Sequence, residues 1–344
     1  MTVTVKTLAK AAGVSRGTVD RVLHNRGSVK KELALKIKTL AKELGYVPNR
    51  AGRALSGIRE HYKIGIMLPS IGNAFFDGVI GGIEKACLEY EELGVEVILD
   101  KIQGYDEATH LKSIEELKKK GCSALCLATI DTPSVAEKIK ECELLGIKII
   151  LVNSDVSNSN RICYVGSDYI KAGKTCAGLL SLISKFEKLK ILVVTGSAFM
   201  KGHRQRIEGF ENELQNLNVN FEICAQIESN DSDIKAQIET TKYLTAHKDI
   251  NCVYVTGAGV QGVGAAIIAT GRDDIVGIAF DDIYTTVEMV RAGIFKFVIC
   301  QQPDRQGYHA VKRAYQILSG TVNEQAMTDF YTDTIIKIAS NIGK

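Results

Sequence analysis

Apolar positions recur along this chain in two rhythms. Through residues 4–44 they repeat at helical spacing; from Lys63 onward short apolar runs alternate with longer amphipathic stretches. In the opening segment Val5, Leu8 and Ala9 share one helical face, and Gly13-Val14 breaks the pattern. Ser15 stands where an N-cap oxygen meets the amide of Thr18. A second short helix turns Val19, Val22 and Leu23 inward, and a third runs from about Lys31 to Leu44 with Leu33, Ile37, Leu40, Ala41 and Leu44 at helical spacing. Gly45 ends it. Two short helices joined by a glycine turn and braced by a third predict a helix-turn-helix.

The runs that begin at Lys63, Glu96, Ala124, Lys148, Ile162, Lys190, Asn220, Cys252, Asp274 and Phe295 read as strands. Nearly all are separated by amphipathic stretches long enough for a helix, the pattern of a parallel, doubly wound sheet. The runs are continuously apolar, as strands covered on both faces must be. So many strands predict two lobes rather than one sheet. Between head and body, Val47 to Gly57 reads as a linker; it is too short to hold a helix alone in water, and Gly52 weakens it further.

Charge changes this picture. The net charge is only +3, yet residues 1–63 carry 14 Lys/Arg against 4 Asp/Glu, and the remainder 29 against 36. A basic head on an acidic body is the footprint of a nucleic-acid-binding segment. Other classes recede. No run approaches the length of a membrane span, and the opening MTVTVKTLAKAAG lacks the apolar core of a signal peptide, so a cytoplasmic protein is expected. The nine cysteines are odd in number and sit mostly in apolar runs, which reads as free buried thiols. With no C-x-x-C pair and no H-E-x-x-H, neither a metal site nor a cofactor is expected.

The segments Ala12-Gly13-Val14-Ser15, Thr18-Val19-x-Arg21-Val22-Leu23, Leu44-Gly45-Tyr46-Val47-Pro48-Asn49 and Ala54-Leu55-Ser56-Gly57 resemble the DNA-binding head of the lactose-repressor (LacI/GalR) family. Asn73-Ala74-Phe75-Phe76, Arg204 with Glu208-Gly209-Phe210, Phe280-Asp281 and Gln301-Gln302-Pro303-Asp304 resemble that family's sensor, which shares the fold of ribose-type periplasmic binding proteins. The resemblance implies an all-α helix-turn-helix head over 1–46, a hinge linker over 47–61 and an α/β two-lobed sensor over 62–344. Lobe 1 is expected over about 62–166 and 302–330, lobe 2 over about 167–301 and 331–344. It further implies a homodimer, or a tetramer, that binds double-stranded operator DNA and a sugar-like effector, with no catalytic residue.

In such a head the second helix lies in the major groove, and its first residues meet base edges. By position these are Arg16, Gly17 and Arg21, with the two arginines able to bond guanine. Ser15, Thr18, Asn25, Ser28 and Lys30 complete the expected contacts, the last four toward phosphates. The resemblance adds Asn49, Arg50, Arg53 and Leu55 in the linker, Leu55 as a wedge into the minor groove. Packing of Leu55 on the sensor is the alternative. Asp20 departs from the family, where a small hydroxyl residue is common.

Ligands bind beyond the carboxyl ends of parallel strands. Candidates there are Asn73, Phe75, Phe76, Asn153, Asp155, Arg204, Asp281 and Gln301. Amides, carboxylates and an arginine suit hydroxyls, and phenylalanine suits an apolar sugar face. The fit to ribose-type pockets is incomplete. Asn153-Ser154 stands where those proteins carry an aspartate-arginine pair, and no aromatic lies between Gln226 and Lys235. A rival reading rests on Gly257-Ala258-Gly259-Val260-Gln261-Gly262, a literal G-x-G-x-x-G with Asp281 and Asp282 about 20 residues on. Alone, it would make the chain an NAD-dependent enzyme.

Overall fold

The computed structural model describes residues 4–23, 29–44 and 61–343. The head holds three helices, α1 (Val5–Ala12), α2 (Arg16–Leu23) and α3 (Lys31–Glu43). Thr4 and Thr7 cap α1 reciprocally, and Gly13 leaves it in the left-handed conformation with φ 70°. Only glycine takes that turn without a Cβ penalty. Ser15 Oγ then accepts the Thr18 amide at 3.1 Å and starts α2. Leu8, Ala9, Ala12, Val19, Val22 and Ile37 form the small core. Leu44, expected on the apolar face of α3, lies just past its end and is exposed. Gly45 and linker residues 47–60 fall outside the described residues.

The body is built on two six-stranded sheets. The first contains β1 (Tyr62–Ile71), β2 (Val95–Gln103), β3 (Ala124–Leu127), β4 (Lys148–Val152), β5 (Cys163–Gly166) and β11 (Phe330–Tyr331), ordered β11-β5-β4-β3-β1-β2 and parallel throughout. The second contains β6 (Leu189–Thr195), β7 (Phe221–Glu228), β8 (Cys252–Val255), β9 (Val276–Phe280), β10 (Phe295–Cys300) and β12 (Ile335–Lys337), ordered β12-β10-β9-β8-β6-β7. Only the β10–β12 pair is antiparallel. The two orders repeat one pattern. Each of the ten expected runs holds a strand; β11 and β12, of two and three residues, are too short to leave a periodic signal.

Helices cover both sheets: α4 (Phe75–Tyr90), α5 (Glu107–Lys119), α6 (Pro133–Leu144), α7 (Tyr169–Ile183), α8 (Lys201–Asn216), α9 (Asp233–Ala246), α10 (Val260–Ala269), α11 (Tyr284–Arg291) and α12 (Pro303–Leu318). Two apolar clusters sandwich each sheet. Strands such as β3, β4, β5 and β8 are buried almost end to end, which explains their unbroken apolar runs. Helices α7 and α8 touch backbone to backbone: a Cβ on Gly209 would lie 2.1 Å from Ile170 O, and one on Gly173 2.2 Å from Arg206 O. This close contact fixes the height of α8 beside the cleft.

Among the described residues the chain passes between the sheets between β5 and α7, between β10 and α12, and between β11 and β12. The expected lobe boundary at residue 330 falls inside β11. No helix there is long and apolar enough to cross a membrane. All nine cysteines are free thiols, seven of them buried.

Candidate functional site

A cavity opens between the carboxyl ends of the two sheets, at the point in each where strand order reverses. Lobe 1 contributes Asn73, Phe75 and Phe76 beyond β1, Tyr105 beyond β2 and Asn153 beyond β4. Lobe 2 contributes His203 and Arg206 from α8, Asp231 before α9, Asp281 beyond β9 and Gln301 beyond β10. Phe75, Phe76, Tyr169 and Phe280 supply buried rings.

Arg206 is the cation of this cavity. Its side chain is 3% exposed. The guanidinium lies 3.7 Å from the Phe280 ring centroid and 4.8 Å from that of Tyr169. Nη1 donates to Thr256 O at 2.5 Å, while Nε has no protein partner. Across from it, Asp281 accepts both bonds from Gln301 Nε2, at 2.9 and 2.8 Å. Burial pushes the Asp281 carboxyl up to about 6, against the pull of Arg206 and Gln301. Gln301 Oε1 is buried and unpartnered. A buried unmatched donor and acceptor are costly to leave unpaired; ligand hydroxyls, which both give and take, suit such groups.

Asn153 Nδ2 donates to Tyr169 OH at 2.9 Å and to Gln306 Oε1 at 3.2 Å. Burial pushes His203 down to about 4, so its ring is neutral at pH 7. Asp231 ties the lobes together. Its Oδ2 accepts from Asn73 Nδ2 at 2.9 Å and from Tyr105 OH, and its Oδ1 accepts the Ala258 amide at 3.0 Å.

Six of the eight expected ligand residues therefore line one cavity: Asn73, Phe75, Phe76, Asn153, Asp281 and Gln301. Asp155 and Arg204 do not. Asp155 pairs with Arg161 at 2.6 Å and, across the lip of the cleft, with Lys201 at 3.3 Å. Arg204 lies at the lip of the cleft, where it bonds Asp131 and Ala198 O. Arg206, Asp231, Tyr105 and His203 escaped the sequence reading. A signal existed for Arg206, which shares the buried face of α8 with Gly202, Gly209 and Phe210, spaced three and four residues apart.

In the head, Arg16, Gly17 and Arg21 are exposed on α2, as are Ser15 before it and Lys30 before α3. Arg21 Nε donates to Gly17 O at 3.1 Å. Thr18 is half-buried, and its hydroxyl bonds Ser15 Oγ at 2.9 Å. Asn25, Ser28, Asn49, Arg50, Arg53 and Leu55 lie outside the described residues.

Residues 4–49 match the profile of bacterial regulatory proteins, lacI family, and residues 64–321 match that of the periplasmic binding protein domain. The chain belongs to the lacI family. It is 26% identical over 292 residues to the HTH-type transcriptional regulator DegA of Bacillus subtilis, covering 82% of each chain. To the ribose operon repressor of Escherichia coli (strain K12) it is 23% identical over 287 residues, 81% of this chain and 83% of the relative. A solved glucose-galactose binding protein, GanP from Geobacillus stearothermophilus, superposes with a TM-score of 0.75 at 22% identity, over 82% of this chain and 99% of its own. That likeness establishes the fold of the sensor.

This lacI-family protein is thus a DNA-binding transcription regulator with a small-ligand sensor, and not an enzyme. The glycine turn that suggested a dinucleotide site has another use. Its Ala258 amide is taken by Asp231 Oδ1, and its Gly262 amide by Asp233 Oδ1 at 3.2 Å. A Cβ on Gly262 would sit 1.9 Å from Asp233 O, and one on Gly257 2.6 Å from Gly196 N. The glycines allow loops to pack closely, and carboxylates stand where a pyrophosphate would need open amides.

Proposed function

We propose that the protein is a cytoplasmic homodimeric repressor whose effector is a sugar or sugar derivative bound between the sensor lobes. The observation that carries this reading is the convergence of Asn73, Arg206, Asp281 and Gln301 with three phenylalanines in one interlobe cavity. Directional polar groups beside flat apolar rings suit a polyhydroxylated ring. The name of the E. coli relative, a ribose operon repressor, points the same way.

On DNA, the reading assigns base contacts to Arg16 and Arg21, with Gly17 allowing close approach. Phosphate contacts fall to Thr18, Asn25, Ser28 and Lys30, and Ser15 completes the contact surface at the start of the second helix. Asn49, Arg50, Arg53 and Leu55 act in the linker, Leu55 as a wedge. A dimer sets two heads on adjacent half-sites of a pseudo-palindrome. Effector binding favours closed lobes and alters the spacing of the heads; it acts only through its different affinity for the two states. A coupling of about 1–3 kcal/mol gives partial control of operator binding.

Selection from random duplex oligonucleotides at low ionic strength tests the first half. It is expected to enrich a pseudo-palindromic site; enrichment of nothing would remove the regulator reading. Titrating sugars into the selected complex tests the second half, and at least one is expected to change operator affinity.

A further inference from the structure

We infer that Asp231 makes the sensor cavity reject anions, so that its effector is a hydroxyl-rich compound bearing neither a carboxylate nor a phosphate. This rests on the reading of the cavity as the effector site and adds its charge class.

The first barrier to an anion is occupancy. The start of a helix offers free amides and a partial positive charge, which ordinarily draw an anion. At the start of α10 that place is filled from within. Asp231 Oδ1 takes the Ala258 amide at 3.0 Å, and Asp233 Oδ1 takes the Gly262 amide at 3.2 Å. A ligand phosphate arriving there meets two carboxylates in place of open donors.

The second is a built seat. Asn230 and Asp231 both hold left-handed backbone, with φ 52° and 58°. Consecutive non-glycine residues in that region persist only where the surroundings enforce them. Two glycines make room for the carboxylate: a Cβ on Gly196 would lie 2.2 Å from Asp231 Oδ1, and one on Gly257 3.1 Å from it. Asn73 and Tyr105 then hold Oδ2 from the opposite lobe.

The third is the balance of charge. Among the cavity-lining residues the ionisable acids are Asp231 and Asp281, and the sole permanent cation is Arg206. Arg206 already gives one amine to Thr256 O and stacks on Phe280. His203 is held neutral by burial. Burial also raises Asp281, the response of a carboxylate whose charge is incompletely compensated. An acidic ligand would add a third negative charge to a poorly solvated space.

The test is calorimetric titration and thermal shift of the full-length protein with matched sets. These are D-ribose with D-ribose 5-phosphate, and D-glucose and D-galactose each with its uronate and 6-phosphate. The parent sugar of at least one set is expected to bind, with its acid and phosphate weaker by about tenfold or more. Asp231→Asn is expected to narrow that gap. Tyr105→Phe removes a hydrogen bond to the same carboxylate without touching the charge, and is expected to keep the gap. The inference is overturned if an acid or phosphate binds best to the wild type, if Asp231→Asn leaves the gap intact, or if Tyr105→Phe closes it equally. In those cases the effector-site reading survives; silence from every set removes that reading and this inference together.

Discussion

Asn153 and Asp281 are counterparts in the two lobes. Each follows the fourth strand of its sheet, in the left-handed region, with φ 62° and 65°. Each donates its amide N–H to the neighbouring strand at 2.9 Å, Asn153 to Val165 O and Asp281 to Ile299 O. Asn and Asp tolerate this backbone better than most residues, which is why they recur at such bends. One structural position thus supplies the cavity with an amide from lobe 1 and a carboxylate from lobe 2.

Asp281→Asn is expected to stabilise the ligand-free protein at neutral pH while weakening the effector. Asparagine keeps the bend and mimics the protonated acid at every pH. The folded carboxyl titrates near 6, against about 3.9 in an unfolded chain. Stability from the neutral form is therefore full below pH ~4 and lost as pH rises through ~6. The gain of the variant over wild type should open across that window to on the order of 3 kcal/mol. Urea melts at pH 4.5 and 7.5 measure it, and a gap that does not grow with pH would refute the argument. Loss of a charged hydrogen bond should cost the effector about tenfold or more.

Arg16→Ala and Arg21→Ala should each relax discrimination at one operator position, by about 1–3 kcal/mol. Lys30→Ala should weaken all sequences alike and lower the salt dependence by about one unit of slope. Anisotropy titrations of the selected site and its point variants separate the two behaviours. Uniform weakening by the arginine variants would mean that they grip phosphate.

Gly196→Ala should cost about 1–3 kcal/mol, the usual range for overpacking. The added Cβ would lie 2.2 Å from Asp231 Oδ1 and 2.6 Å from His203 Cε1. Both side chains must move, so effector affinity should fall with stability. Gly81→Ala serves as the contrast: it lies in α4, and a Cβ there meets nothing within 4 Å. That change should be neutral or stabilising by roughly 0.5–1 kcal/mol. Equal melting temperatures for the two variants would count against the seat.

The ten long strands and the three head helices were legible because a buried strand must be apolar and a small head must turn one face of each helix inward. The cavity was legible where it follows strand ends, as at Asn73, Asp281 and Gln301. It failed on α8. Arg204 and Arg206 are two residues apart, about 200° around a helix, so one reaches the lip and the other the cavity. Asp231 left no trace, because its role depends on Gly196, Gly257 and Tyr105, all distant in sequence. The glycine turn misled for a related reason: spacing registers close packing but not what packs there.

The lip of the cleft bears its own clamp, and breaking it should open the free sensor. Arg204 pairs with Asp131 and Lys201 with Asp155, at 3.3 Å for the latter. The Asp131 amide also donates to Phe199 O at 2.8 Å. These contacts join the lobes directly, so they add to the closing free energy beside whatever the effector contributes. Both pairs are only partly exposed, Asp131 being nearly buried; such pairs near the surface contribute about 0.2–1 kcal/mol each and are partly screened by salt. The double variant Lys201→Ala/Arg204→Ala should therefore weaken the effector by roughly three- to tenfold, because less of the free protein is in the binding-competent state. Small-angle scattering should show a larger radius of gyration for the ligand-free variant, and high salt should move the wild type the same way. The backbone bond from Asp131 survives the substitutions, which limits the opening. An unchanged radius together with unchanged effector affinity would show that closure is governed within the cavity, by Asp231 with Asn73 and Tyr105, and that the lip pairs contribute nothing to it.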